Sequence, residues 1–377
     1  MTHELFIPEL FIPELFIKEE LKRHPHTQPQ DVLKMCFQSA FGAEHLISDI
    51  DRAENYFYQE FENTPADANM PLCEFLTPQV CRVNLAAWKG HALPPEWLFD
   101  LFINALAPYH PEDVGLAIHQ YKKDAHATNK GEVFFNYVKT WSKFAHENEA
   151  SLAFSFADFE ETLEWYIDTC DGQLQAVHHS PIYKEAHHPA YRIISGPHVE
   201  AIPILQAAFQ QLGPQGGVIA IDGPAGSGKS TLAGILSYIL ATPSIAMDHF
   251  FLPPALRTPE RLAEIGGNIH HERFLEQVVP HFHRAFQYPI FDCRKMEYHG
   301  QRDIPPSKWH VVEGSYSHHP ALGEYMGLKV FLDISPEEQL TRLEKRNPKL
   351  MDQFINQWIP MEEKYFDHYH IRENTHI

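Results

Sequence analysis

Two hydrophobic periodicities divide this chain of 377 residues. From residue 29 to about 212 the apolar positions recur at i, i+3 and i+4, the spacing of one face of an α-helix. In DVLKMCFQSAFGAEHLI (31–47) the stripe is Val32, Leu33, Cys36, Phe37, Ala40 and Phe41. After Pro95 it is Trp97, Leu98, Leu101, Phe102, Ala105 and Leu106, and over 132–147 it is Val133, Phe134, Tyr137, Val138, Trp141 and Phe144. Further helices are predicted over 157–169 and from Pro197 to about Leu212. Turns rich in Pro, Asn and Asp, such as NTPADANMP (63–71), separate these stretches. No β-alternation of useful length stands out. Residues 29–195 therefore read as an all-α domain, and 196–213 as a linker with a helix.

At residue 213 the texture changes. LGPQGG breaks the helix, and GVIAID is a compact apolar run suited to a buried parallel strand. Similar runs follow at SIAMD (244–248), WHVVEG (309–314) and LKVFLDI (328–334), separated by helical patterns at 229–240, 270–286 and 336–346. The last of these opens with Ser335 as N-cap, Pro336 at N1 and Glu338 at N3. Such alternation predicts an α/β domain over 214–377, a parallel sheet with helices on both faces.

Residues 1–28 read as an arm. ELFIP occurs at 4–8 and 9–13 and ELFIK at 14–18, and the recurring prolines forbid a long regular helix. The arm either presents Leu-Phe-Ile triplets to a groove or is a duplicated terminal segment.

Composition narrows the classes. With 50 acidic against 30 basic residues the net charge is −20, which repels nucleic-acid backbones and anionic membranes, so a nucleic-acid-coating role is excluded. The start, MTHELFIPEL, lacks a basic n-region, and no run of 18 apolar residues offers a membrane span. The five cysteines are scattered without a CxxC. A soluble chain in a reducing, cytoplasmic compartment is expected. The 26 histidines include adjacent pairs at 178–179, 187–188, 270–271 and 318–319, but neighbours on a helix point about 100° apart and chelate poorly.

The strongest chemical signal is GVIAIDGPAGSGKST. Gly223, Gly228, Lys229 and Ser230 satisfy GxxxxGK[ST], with Pro224, Ala225, Gly226 and Ser227 between them and Thr231 after. Glycines let backbone N–H groups turn inward around a phosphate, and the following helix adds its positive N-terminal dipole. Lys229 places a charge on the β- and γ-phosphates, and the Ser230 hydroxyl ligates Mg²⁺. The expected cofactors are therefore ATP and Mg²⁺.

Asp248 ends the next apolar run about 18 residues later, at the carboxyl edge of the sheet where the phosphate loop also lies. A carboxylate there can accept the proton of an attacking hydroxyl. Glu313 ends HVVEG, the position of a Walker-B acid for the metal or its water. Arg342 and Arg346 share one helix face, either as a lid over the phosphates or in salt bridges with Glu338 or Glu344. His249 is either a substrate contact or a solvated loop residue.

This ordered set resembles the uridine kinase-like family of P-loop kinases, which includes phosphoribulokinase and pantothenate kinase relatives. The resemblance runs from about Gly217 to the C-terminus through IAIDGPAGSGKST, MDHFF (247–251), PIFD (289–292), VVEGSYSHHPAL (311–322), VFLDIS (330–335) and the arginines of TRLEKR. It implies Asp248 as general base, Ser230 and Glu313 at magnesium, and Phe250, Phe291 and Asp292 near the acceptor. After PIFD the family carries a histidine and an arginine that hold a nucleoside; this chain departs from that with Cys293, Arg294, Lys295, Met296 and Glu297, of which Arg294 is a candidate substrate contact. The familiar arginine-rich lid run is also replaced by RNPKLMDQFINQWIPMEEKYF.

The expectation is ATP-dependent phosphoryl transfer to a hydroxyl of a small nucleoside-like or sugar-like metabolite, with homo-oligomerisation left open. The alternatives are an ATP-gated switch without an acceptor, and a kinase of a macromolecular acceptor. HHSPIYKEAHHPAYRIISG (178–196) either reaches the kinase crevice with Tyr183, Tyr191 or Arg192 or serves as a packed strap.

Overall fold

The computed structural model describes residues 14–43, 49–106, 129–170, 174–293 and 295–377. The chain divides into two compact units, 1–199 and 200–377.

Unit 1 is mainly helical. Within the stretch read as an arm, residues Glu14–Arg23 form helix α1. It is seated in the unit through the buried Ile17 and Glu20. The two ELFIP copies lie outside the described residues. Helix α2 (Pro29–Phe41) opens with proline at N1 and with the Asp31 carboxylate accepting from the Gln28 N–H. It packs on the helices Asn129–Asn148 and Phe156–Thr169. The predicted stripe residues Val32, Leu33, Cys36 and Phe37 are buried, as are Phe134, Tyr137, Val138, Trp141 and Phe144.

The all-α expectation is corrected by a three-stranded antiparallel sheet, β1 (Cys73–Thr77), β2 (Val80–Asn84) and β3 (Tyr191–Ser195), in the order β1-β2-β3. The physical reason lies in β2, every residue of which is buried, including Arg82 and Asn84. A strand whose polar residues point inward shows no apolar–polar alternation. The segment 178–196 is absorbed into this unit. Tyr183 stacks on His179 at 4.2 Å, the Tyr191 hydroxyl meets His179 Nε2 at 2.7 Å, and Arg192 pairs with Glu60 at 2.7 Å.

Unit 2 carries a four-stranded parallel sheet in the order β5-β8-β4-β9, with β4 at Gly217–Asp222, β5 at Ile245–Ala246, β8 at Trp309–Glu313 and β9 at Leu328–Phe331. Val218 and Ala220 of β4 join a core with Ile245, Phe274, Tyr365 and Phe366. Ile219 and Ile221 point to the other face by strand alternation, and they too have no exposed surface. The helix Lys229–Ile239 packs on β8 and β4.

Two predicted elements are shorter than expected. SIAMD forms only two residues of strand before a 3-10 turn over Met247–Phe250. The helix predicted over 270–286 stops at Gln277, three residues before Pro280, which has no N–H with which to carry the helical ladder on. The hairpin β6 (Phe286–Asp292) with β7 (Glu297–Ile304) was not expected. Pro289 interrupts the first strand and the second is almost wholly exposed and polar, so neither shows a strand signal. Among the described residues no helix is long and apolar enough to cross a membrane.

Candidate functional site

The phosphate loop hangs between β4 and the helix that starts at Lys229. Gly223 has φ 142°, and a Cβ there would lie 2.2 Å from the Leu332 carbonyl oxygen, so no other residue fits without moving β9's continuation. Gly228 caps the helix at φ 103°, and a Cβ there would project into open space. Lys229 is buried, its Nζ donating to the Gly223 and Pro224 carbonyls at 2.7 and 2.9 Å. The Ser227 hydroxyl is buried with no protein partner. Inward-turning glycines, an orphaned hydroxyl and a fixed cation fit a polyphosphate.

Parallel register brings the acids to the same edge. Ile221 of β4 and Ala246 of β5 both pair with Glu313 of β8. Ser230 Oγ donates to Glu313 Oε2 at 3.1 Å, the two groups expected at the metal. Burial, helped by the negative charge of Asp248, pushes the Glu313 carboxyl up to about 7, against the pull of Lys229 and Ser230. Asp248 sits on the 3-10 turn with its side chain facing solvent. The protein crowded around it raises its pKa, while Lys229 and Arg346 work the other way. Lys229, Ser230, Asp248, Glu313 and Arg346 thus act on one another across one small region.

The raised Glu313 has a measurable consequence. A carboxyl whose folded pKa exceeds its unfolded value stabilises the fold most below the unfolded pKa, and that contribution is lost as pH rises through the folded one. Glu313 goes from 4.5 to about 7, so it costs the nucleotide-free protein about 3 kcal/mol on passing from pH 4 to pH 8. The stability of Glu313→Gln relative to the parent should therefore rise by that order between the two pH values in urea unfolding. A pH-independent difference would show that the carboxyl titrates normally.

The described residues expected at the acceptor lie on or beside the turn that carries Asp248, against which the β6–β7 hairpin packs. Phe250 has no exposed surface; it packs on Phe274 and Tyr288, with the Arg273 guanidinium 4.3 Å above its ring. Phe291 is likewise buried, edge-on to Tyr298. Both rings are packed in the core where the turn Met247–Phe250 meets the hairpin. Asp292 accepts from the Lys295 N–H at 3.2 Å within the hairpin turn. His249 is half-buried, its Nδ1 3.2 Å from the Tyr288 hydroxyl, and burial lowers it to about 4. Arg294 lies outside the described residues. Arg342 pairs with Glu338 and also donates to the Gly226 carbonyl at 3.3 Å, so the ion pair and proximity to the loop coexist.

Sequence reasoning missed the groups that hold the loop. Asp222, fully buried at the end of β4, accepts from the Gly223, Tyr316 and His318 N–H groups and from the Tyr365 hydroxyl at 2.8 Å. Glu362 of the helix Ile359–His368 accepts from the Ala225 N–H at 2.8 Å and from Ser315 Oγ at 2.7 Å. Asp222 carried a signal, a carboxylate closing an otherwise apolar strand. Glu362 carried none, because its meaning depends on where a distant helix docks.

No protein-family profile and no curated protein matches the chain. Structural similarity extends over 43% of it to a chain from Bacillus stearothermophilus named as a possible uridine kinase, with TM-score 0.34, 20% identity and 86% of that chain covered. It extends over 43% likewise to a chain from Silicibacter sp. TM1040 provisionally named a fructose transport system kinase, with TM-score 0.32, 21% identity and 87% of that chain covered.

Proposed function

We propose that residues 200–377 transfer the γ-phosphoryl group of ATP to a hydroxyl of a small metabolite, nucleoside-like or sugar-like, with Mg²⁺ as cofactor. The observation that carries this reading is the Ser230–Glu313 contact of 3.1 Å beside Lys229 and Asp248. Mg²⁺, when bound, neutralises charge on the phosphates. The chain supplies the rest. Loop amides and Lys229 orient the phosphates, Ser230 and Glu313 offer oxygens to the metal, and Asp248 takes the proton of the acceptor hydroxyl. The helix Pro336–Arg346, with Arg342 already on the loop, closes over the phosphates as a lid. Such catalysis relies on positioning and electrostatics, since phosphoryl transfer asks for little covalent chemistry.

The test is ATP consumption by the purified protein against nucleosides, sugars, vitamins and polyols. Lys229→Ala should lower nucleotide affinity or turnover at least tenfold, about 1.4 kcal/mol, with the ligand-free melting temperature little changed. Equal ATP binding and turnover in that variant would remove the loop from the reading.

A further inference from the structure

Unit 1 buries an unusual set of ionisable groups far from any phosphate-loop motif in sequence. Arg82 of β2 is fully buried, and its Nη1 donates to Glu20 Oε1 at 2.8 Å. Beside it, the buried Glu74 of β1 meets His24 Nε2 at 2.9 Å and accepts from Asn84 Nδ2 at 3.0 Å. Glu20 and His24 are four residues apart at the end of α1, the spacing that puts two side chains on one helical face. Strand β1 brings Glu74 to them across the fold. One ligand atom from each of the three lies within 4.8 Å of the other two.

The pairing within this cluster is incomplete. Glu20 Oε2 and His24 Nδ1 are buried with no partner, as is the Nε2 of His187, whose ring stands edge-on to His24 at 4.8 Å. A buried polar atom left without a partner loses its hydration and gains nothing in return. The unpartnered Glu20 Oε2 is the oxygen of a side chain that is almost wholly buried, beside the Glu74 carboxylate and the His24 imidazole.

We propose that Glu20, His24 and Glu74 hold a divalent transition-metal ion that ties α1 to the sheet of unit 1. One imidazole nitrogen and two carboxylate oxygens suit Zn²⁺, Mn²⁺ or Fe²⁺, whereas Ca²⁺ prefers six to eight oxygens. With metal–ligand bonds near 2.0 Å, tetrahedral ligand atoms stand about 3.3 Å apart, so modest side-chain rotation closes the site. His187 is the neighbouring ring that can add a further ligand. This site is independent of the kinase reading and uses none of its residues.

The probe is Co²⁺, a spectroscopic stand-in for Zn²⁺, titrated without nucleotide into the full chain after chelator treatment and dialysis. The expected result is one tight equivalent with the intense visible bands of a four- or five-coordinate site. His24→Ala and Glu74→Gln should each weaken it at least tenfold, as removal of a ligand or its orienting partner does. Ser230→Ala, in the phosphate loop, should leave it unchanged. In the unmodified protein Co²⁺ should also slow hydrogen exchange over residues 14–28 and 73–77, a readout that needs no variant to fold. No stoichiometric binding, binding that survives both substitutions and therefore belongs to surface histidines, or unchanged exchange in those segments would each overturn the proposal.

Discussion

Asp248→Asn should bind magnesium–ATP within a few-fold of the parent and turn over about a hundred- to ten-thousandfold more slowly, the range a general base contributes. The carboxylate lies on the turn that follows β5, where Lys229 and Arg346 lower its pKa and its own charge raises that of Glu313. The amide keeps its shape but is too weak a base to accept the proton. Protein crowding raises the Asp248 pKa, against the pull of Lys229 and Arg346, which strengthens it as a base. Affinity and turnover are to be measured on whichever acceptor the ATP-consumption screen identifies. A variant that turns over like its parent would remove Asp248 from the mechanism. If neither protein consumes ATP with any acceptor, a nucleotide-gated switch becomes the better account, because a switch needs the loop and Glu313 but no base.

Below about pH 6 the protein should lose stability steeply, with unfolding coupled to the uptake of several protons. Four buried histidines carry this expectation: His179 and His198 in unit 1, His271 and His310 in unit 2. Burial lowers His271 to about 3 and the other three to about 4. For His271 the neighbouring His319 and Arg261 add to the effect, for His310 the neighbouring His283, and for His179 the Asp31 contact resists it. The unfolded chain binds these protons near pH 6.5 and the folded chain does not. Each histidine therefore contributes stability that is complete above pH 6.5 and is lost as pH falls through its folded value. At about 3 kcal/mol apiece, the four sum to the order of a whole domain's stability. Glu313 and Asp100, pushed up to about 7 and about 6, work in the opposite sense and offset part of the loss. Urea unfolding at pH 7.5, 5.5 and 4.5 reads the slope, which should lie at a few kcal/mol per pH unit and flatten in His310→Gln. A stability that holds constant from pH 7.5 to 5 would mean that these histidines are charged in the folded state.

The sequence by itself determined what depends on neighbours in the chain. The loop from Gly223 to Ser230 needs glycines where φ is positive, an apolar strand before it and an apolar helix after it, and all of these are local. The helical stripes of Pro29–Phe41, Pro95–Asn104 and Asn129–Asn148 were legible for the same reason, since one amphipathic face repeats every turn. Asp248 and Glu313 were legible because parallel strands present their carboxyl ends to one edge, a rule of topology rather than of contact.

Only the tertiary structure decided the rest. Arg82 and Asn84 are polar residues turned inward, and their partners Glu20 and Glu74 come from other elements, so β2 shows no strand pattern in isolation. Phe250 and Phe291 stand beside a motif yet serve the core, because burial depends on which surfaces a distant hairpin covers. Glu362 reaches Ala225 across 137 residues, and His24 reaches Glu74 across 50. Contacts of that separation leave no periodicity along the chain. They exist only once packing has paid the entropy of bringing the two segments together.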